Sequence, residues 1–280
     1  MINSQTHLFC VIGHPVSQSL SPLMHNAAFQ KLELNHVFLA FDVSDLKGFI
    51  NSARLLNIKG ISVTIPHKIE VMKNLDSIDE TAQKIGAVNT IINQNHKFIG
   101  TNTDWLGAIK ALEEKIAVSG KNIAVIGAGG AARAIIYGLN TQKAKIYVFN
   151  RNYDTGQKLS DEFGLSGAYP LSEFMKSSKQ LNFDIIINTT SVGMSPDDKN
   201  SPVPIQSIRK NQIVFDIVFK PSQTRLLHDA KSQGASIVYG YKMLLYQAEE
   251  QFKLFTGHNA PINVMEKAIL KALSLQGYSV

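Results

Sequence analysis

The sequence predicts an α/β protein of two domains: an N-terminal α/β domain with a mainly parallel sheet, followed by a second parallel-sheet domain. Three observations carry this. The chain has 280 residues, which at roughly 150 residues per domain favours two. Short β-rich runs alternate with helical patterns through most of its length, the order that builds parallel sheets. At Lys121 a fresh strand–glycine turn–helix–strand unit opens, just after the Ser119-Gly120 break.

The elements follow in order. Runs rich in β-branched and aromatic residues, bounded by turn residues, predict strands His7–Gly13, His36–Val43, Gly60–Ile65 and Val88–Asn93 in the first part. Between and after them, apolar residues at helical spacing predict helices Pro22–Leu32, Ser44–Leu56 and Trp105–Ile116. The second part repeats the alternation, with strands Ile123–Gly127, Lys145–Asn150, Asp184–Asn188, Ile213–Val218 and Ser236–Tyr239. Helices Ala131–Leu139, Thr155–Phe163 and Thr224–Gln233 lie among them. The last two helices, Leu244–Phe255 and Pro261–Leu273, have no strand between them and so leave the second sheet. The expected domains are therefore 1–104, completed by 241–280, and 105–240. A cleft between two such domains is a common place for a ligand.

Composition excludes several classes. Charged residues make up 18% of the chain, too few for a coiled coil or highly charged disorder. Cys10 is the single cysteine and lies in the apolar run Leu8–Ile12, so no disulfide scaffold exists. The eight histidines form no HxxxH pair and there is no CxxC, which argues against a metal. No stretch approaches the roughly 18 apolar residues of a membrane span, and no signal-peptide pattern opens the chain, which reads as soluble and cytoplasmic. The net charge of +6 comes from scattered lysines and arginines. It fits a pocket for small anions as well as it fits nucleic acid, and no basic block favours the latter.

The segment Lys121-Asn-Ile-Ala-Val-Ile-Gly127-Ala128-Gly129-Gly130-Ala131-Ala132 matches the G-x-G-x-x-A dinucleotide fingerprint in its proper strand-to-helix setting. Gly127 permits the tight turn, Gly129 lets backbone approach a pyrophosphate, and Ala132 keeps helix and strand close. The helix N-terminus offers N–H groups to phosphate. The second domain thus reads as Rossmann-type. Its next strand ends in Asn150-Arg151 where an NAD site usually carries Asp or Glu. A carboxylate would repel a 2′-phosphate, whereas the Arg151 guanidinium can bond it. NADP(H) is the expected cofactor.

Two constellations stand out in the first domain. Ser19 and Ser21-Pro22 precede a helix, with Ser21 at the expected N-cap and Pro22 at the first helical position. Plain capping explains Ser21; paired serines at a helix start also suit a carboxylate. Thr64-Ile-Pro66-His67-Lys68 reads as another strand-to-helix turn, with Lys68 in the first helical turn, where a cation is disfavoured by the dipole. Such a lysine is commonly an exposed bystander. Asp104 reads equally as the N-cap of the Trp105 helix or as a site residue.

The combination decides among these readings. Gly13-His-Pro15 with Ser19-Leu-Ser21-Pro22 and His25-Asn26, Val63-Thr64-Ile-Pro66-His-Lys68, Gly86-Ala-Val-Asn89-Thr90 and Asn102-Thr-Asp104 occur in that order. Gly127–Ala131, Asn150-Arg151, Asn188-Thr189-Thr190-Ser191-Val-Gly193-Met194 and Met243-Leu-Leu-Tyr-Gln247 follow. Together these motifs resemble the shikimate dehydrogenase family, over about residues 7–257. The resemblance implies reduction of 3-dehydroshikimate to shikimate with NADPH. It implies that Ser19 and Ser21 hold the substrate carboxylate and that Thr64, Asn89, Asp104 and Gln247 bond its hydroxyls. Lys68 would stand beside the reacting oxygen, with Lys68 and Asp104 as the catalytic pair. Asn188, Thr189 and Thr190 would border the cofactor, with Met243 near the nicotinamide. The implied partner is a small molecule, with neither nucleic acid nor membrane, for a monomer or homodimer.

Three departures from the family pattern carry consequences. Phe219 stands where a tyrosine hydroxyl usually reaches the substrate carboxylate, which predicts weaker substrate binding or reliance on Ser19 and Ser21. Asn152 and Thr155 replace a common threonine and second basic residue, so the margin for NADP over NAD is open. Lys242 replaces a common glycine before Met243. Two other readings follow: an NAD-dependent quinate/shikimate dehydrogenase, and a non-catalytic dinucleotide-binding sensor. The sensor would be expected to have lost Lys68 or Asp104, and both are present.

Overall fold

The structure, a computed structural model, describes residues 2–275. The last five positions of the expected 241–280 segment lie outside the described residues. The chain forms two compact units, Met1–Asp104 with Gln247–Ala272, and Trp105–Tyr246 with Leu273–Val280.

The first unit contains β1 (His7–Gly13), α1 (Ser21–Lys31), β2 (His36–Asp42), α2 (Leu46–Leu55), β3 (Gly60–Val63), β4 (Ser77–Ile78), α3 (Glu80–Ile85), β5 (Thr90–Gln94) and β6 (Lys97–Thr101). Its sheet runs β2-β1-β3-β5-β6-β4. β1 pairs in parallel with β2 and β3, and β4 with β6, but β5 is antiparallel to both its neighbours. A hairpin thus interrupts the expected parallel order. Its turn places Asn95 and His96 at φ 52° and 65°, the geometry of a two-residue turn that follows the strand twist. β4, α3 and β6 were not expected from the sequence. Apolar side chains of β1, β3 and β5 pack against Ile50 and Ala53 of α2 to form one core. Cys10 is fully buried in it, and burial pushes its thiol pKa well up, so it is an inert core residue.

Two local expectations are corrected. α1 begins one residue early, at Ser21, with Leu20 as its N-cap; the Ser19 hydroxyl accepts the Ser21 N–H at 3.3 Å, so Ser19 tends the helix start. Lys68 is not in a helix: Ile65–Ile69 are turns, and only Glu70–Asn74 closes into a short 3-10 helix.

The chain continues through α4 (Asp104–Glu113), β7 (Asn122–Ile126), α5 (Gly130–Thr141), β8 (Lys145–Asn150), α6 (Tyr153–Phe163), β9 (Gly167–Pro170), α7 (Phe174–Leu181), β10 (Ile185–Asn188), β11 (Ile213–Asp216), α8 (Arg225–Ser232), β12 (Ser236–Val238), α9 (Gly240–Thr256) and α10 (Ile262–Leu275). The second sheet, β12-β11-β10-β7-β8-β9, is parallel throughout. Its two halves diverge from the central β10–β7 pair, the switch point at which doubly wound sheets bind ligands. Ile123, Val125, Ile135 and Ile146 lie in one of its cores and Ile126, Phe149 and Phe183 in another. β9 and α7 were not expected.

α6 starts two residues before the expected Thr155, because Asn152 caps it by accepting the Thr155 N–H at 3.0 Å. α9 starts at Gly240 rather than Leu244, so Lys242 and Met243 are helical. In the first unit, Phe252 and Phe255 of α9 pack among Phe9, Phe29 and His25, and His25 stacks on Phe38 at 4.4 Å. Burial lowers the His25 pKa to about 3, so the ring is neutral there. Among the described residues no helix is long and apolar enough to cross a membrane.

Candidate active site

In the first unit the strand directions gather the singled-out residues at one rim of the sheet. The carboxyl ends of β1 and β3 lie side by side. Antiparallel β5 begins at that same rim, where the Val63 N–H meets the Asn89 carbonyl at 2.7 Å. β6 ends there, with Thr101 opposite Thr90. Thr64 and Lys68 therefore follow β3, Asn89 precedes β5, and Asp104 follows β6, all at one edge.

At that rim the Lys68 ammonium donates to Asp104 Oδ2 in a short ion pair. The lysine side chain is 15% exposed and the aspartate 5%. Asp104 Oδ1 accepts from Asn89 Nδ2 at 2.9 Å. The same amide reaches Gln247 Oε1 on α9 at 3.2 Å and Thr103 Oγ1 at 3.0 Å. Lys68, Asn89, Asp104 and Gln247 thus form one cluster. Asp104 is the first residue of α4, and Asn102 Oδ1 takes its N–H at 3.0 Å. The carboxylate meets side chains through both oxygens, Oδ2 the Lys68 ammonium and Oδ1 the Asn89 amide. Its place in the first helical turn favours negative charge.

Thr64 directly follows β3 at this rim, whereas Ser19 and Ser21 lie farther along the loop from β1 to the start of α1, where the hydrogen bond between them is local. Ser21 is buried, while Ser19 and Thr64 are half-buried. Thr64 is pressed by the Gly13 backbone: a Cβ on Gly13 would lie 2.5 Å from Thr64 Cγ2.

In the second unit, Gly127 sits after β7 at φ +107°. A Cβ there would lie 2.6 Å from Thr189 Oγ1 and 2.9 Å from Thr190 Cγ2. Thr189, just beyond β10, donates its hydroxyl to the Ile126 carbonyl at 2.6 Å and so anchors the loop to β7. Gly129, the N-cap of α5, is exposed, and a Cβ on it would meet no protein atom within 4 Å. Ala128, Gly130 and Ala131 complete the turn half-buried, and Ala132 is buried beneath. Asn150 ends β8 with its amide on the Asn152 carbonyl at 2.9 Å, and Arg151 is exposed beside it. Asn152, a departure from the family pattern, is occupied as the cap of α6.

Met243 is buried in the core of this unit. Lys242, whose role the sequence left open, pairs with Glu114 at 3.2 Å, and Glu114 also accepts the Tyr246 hydroxyl in a short bond. Phe219 is half-buried.

Sequence reasoning missed the support beneath both groups. Asp216, at the end of β11, accepts from Asn188 Nδ2 at 2.9 Å, Thr224 Oγ1 at 2.6 Å and the Val218 N–H at 3.1 Å. Asn188 Oδ1 in turn accepts the Thr190 N–H and hydroxyl at 3.0 and 2.7 Å. Burial raises the Asp216 pKa to about 7 against these three donors. Its side-chain partners, Asn188 and Thr224, are 28 and 8 residues away, beyond any local pattern. Gln251 plays the corresponding part under Asn89.

Comparison with known proteins identifies the family. The shikimate dehydrogenase substrate-binding domain model matches residues 11–91. The shikimate/quinate 5-dehydrogenase model matches 110–221, and the shikimate 5′-dehydrogenase C-terminal domain model matches 240–270. The shikimate dehydrogenase (NADP(+)) of Methanococcus aeolicus is 43% identical over 98% of this chain and 100% of its own. A crystal structure of a shikimate dehydrogenase in complex with NADP+ superposes with a TM-score of 0.91 at 43% identity, covering 98% of each chain. That of the Thermus thermophilus shikimate 5-dehydrogenase with NADP(H) and shikimate gives 0.87 at 34% identity, covering 95% of this chain and 100% of that one. With near-complete coverage by relatives above 40% identity, the chain belongs to the shikimate dehydrogenase family.

Proposed function

We propose that the chain is an NADP-dependent oxidoreductase that reversibly reduces 3-dehydroshikimate to shikimate, a step of chorismate and aromatic amino-acid biosynthesis. The observation that carries the reading is the Lys68–Asp104 ion pair at the sheet rim, steadied by Asn89 and Gln247. A bystander lysine would not be held this way. Relatives at 43–44% identity are NADP(+)-dependent shikimate dehydrogenases, which supports the same conclusion.

The residues present fit a dinucleotide. The Gly127 turn leaves no room for a side chain, and the space beside Gly129 is open ahead of the α5 N-terminus. Gly127–Ala131 would hold the pyrophosphate, Asn150 and Arg151 the adenosine end with its 2′-phosphate, and Thr189, Thr190 and Met243 would border the rest. When bound, NADPH supplies a hydride to the substrate carbonyl carbon.

The protein's own groups manage the oxygen. As negative charge develops there, the Lys68 ammonium stabilises it, and the Lys68–Asp104 pair together supplies the proton. Asp104 directs that ammonium through Oδ2, while Asn89 holds Oδ1. Ser19 and Ser21 would bind the substrate carboxylate, and Thr64, Asn89 and Gln247 its hydroxyls. The chain would act as a monomer or a homodimer. A biosynthetic dehydrogenase of this kind is assigned to the cytoplasm.

The test is a four-way assay of the purified protein, pairing shikimate and quinate each with NADP+ and NAD+. Turnover largely confined to shikimate with NADP+ is the expected result. Quinate turnover with NAD+ would make it a quinate/shikimate dehydrogenase and Arg151 a bystander. Bound cofactor without turnover in all four would leave only a sensor.

A further inference from the structure

Asn89 is gripped from below by a buried chain of side chains whose donor and acceptor roles are all fixed. Gln251 is 1% exposed. Its Nε2 donates to the Asn89 backbone carbonyl at 3.1 Å, and a carbonyl can only accept, so the orientation of the Gln251 amide is set. Its Oε1 then faces the Ser62 hydroxyl, which donates to it at 2.8 Å. The same Nε2 donates to Thr90 Oγ1 at 2.8 Å. Thr90 has one hydroxyl proton, and it goes to Asn89 Oδ1 at 2.7 Å. The Thr103 backbone N–H, which can only donate, meets that same Oδ1 at 2.8 Å. Nδ2 of Asn89 is left facing Asp104.

We infer that Gln251 is a positioning residue for the reaction: with Thr90 it locks the Asn89 amide in the orientation that presents a donor to Asp104. A flipped amide would set an oxygen against the carboxylate and lose the bond that steadies it. Gln251 lies one helical turn beyond Gln247 on α9, so one helix face reaches Asn89 twice, once at the rim and once beneath it. The inference rests on Lys68 and Asp104 being the reacting pair.

A double-mutant cycle on the full chain tests it, with kcat/KM for shikimate and NADP+ as the readout. Gln251→Leu is expected to lower kcat/KM about tenfold in the wild-type background. In the Asn89→Ala background it should lower it less than about twofold, because its route to Asp104 is already cut. Equal losses in both backgrounds would make Gln251 a structural residue only, and wild-type turnover in Gln251→Leu would also overturn the inference. Thr90→Val keeps the side-chain shape and breaks the same chain, and it runs through the same cycle if Gln251→Leu does not fold. If the wild-type protein turns over no shikimate, the functional reading fails by itself. The orientation is then read from the Asn89 side-chain amide protons, expected to exchange at least about tenfold faster in Thr90→Val. Unchanged exchange would refute the lock.

Discussion

Asp216 and Asn188 meet at 2.9 Å at the carboxyl ends of two neighbouring strands, where a fully buried carboxyl holds the amide that in turn holds Thr190. The carboxyl titrates near 7 in the folded protein against about 3.8 in a free chain. Between those values the native state binds more protons than the unfolded one, so stability contributed by the neutral acid is full below about pH 3.8 and is lost as pH rises through 7. Asp216→Asn removes the titration. Urea unfolding at pH 5 and pH 8 should show wild type losing at least about 1 kcal/mol more than the variant across that interval. Parallel losses would mean that the carboxyl is ionised throughout.

Lys68→Ala removes both the charge and the proton at the rim. Its kcat is expected to fall about a thousandfold, and that of Asp104→Asn about a hundredfold, with the fold intact by circular dichroism. Following NADPH absorbance settles this, and a kcat for Lys68→Ala within tenfold of wild type would place the proton chemistry elsewhere.

The first two glycines of the nucleotide turn should fail differently. Gly127→Ala forces a side chain into a positive-φ site against Thr189 and Thr190, and should cost about 2–4 kcal/mol in urea unfolding. Gly129→Ala meets open space and should leave stability within about 0.5 kcal/mol. Its NADP+ affinity, read by fluorescence titration, should nevertheless weaken at least about tenfold. Unchanged affinity would mean that no ligand approaches that backbone.

Arg151→Ala should raise KM for NADP+ about tenfold or more and KM for NAD+ less than about twofold. Asn152 is committed to capping α6, so Arg151 has little help on that turn. Equal effects on the two cofactors would remove Arg151 from the 2′-phosphate.

What the sequence disclosed follows its physics. The buried strands β7, β8, β10 and β11 are continuous apolar runs between turn residues, and the glycine turn after β7 is a local pattern. The first sheet was read less well. β6 is turned back by Asn95-His96, which lacks the glycine that normally marks such a turn, and α3 has only six residues. Helix starts at Ser21, Tyr153 and Gly240 differ from the sequence reading by one to four residues, because apolar periodicity marks the face of a helix and not its first residue. The Tyr153 helix has a side-chain cap, Asn152, and the Ser21 helix has none. Lys68 and Asp104 were visible as parts of motifs, but their pairing spans 36 residues and Gln251 reaches Asn89 across 162. Only the folded sheet brings such positions together.

The reversed β5–β6 hairpin changes how many chain segments one sheet edge can employ. A wholly parallel sheet offers its rim only the loops that leave its strands, and each loop that enters a strand is spent on the far side. Reversal of β5 lets the residue that enters it, Asn89, stand beside the residues that leave β3 and β6. The Asn95-His96 turn lies at the opposite end of the hairpin. Its length and composition are therefore free to drift without moving Asn89 or Asp104, so variation among relatives should collect there while the rim stays fixed.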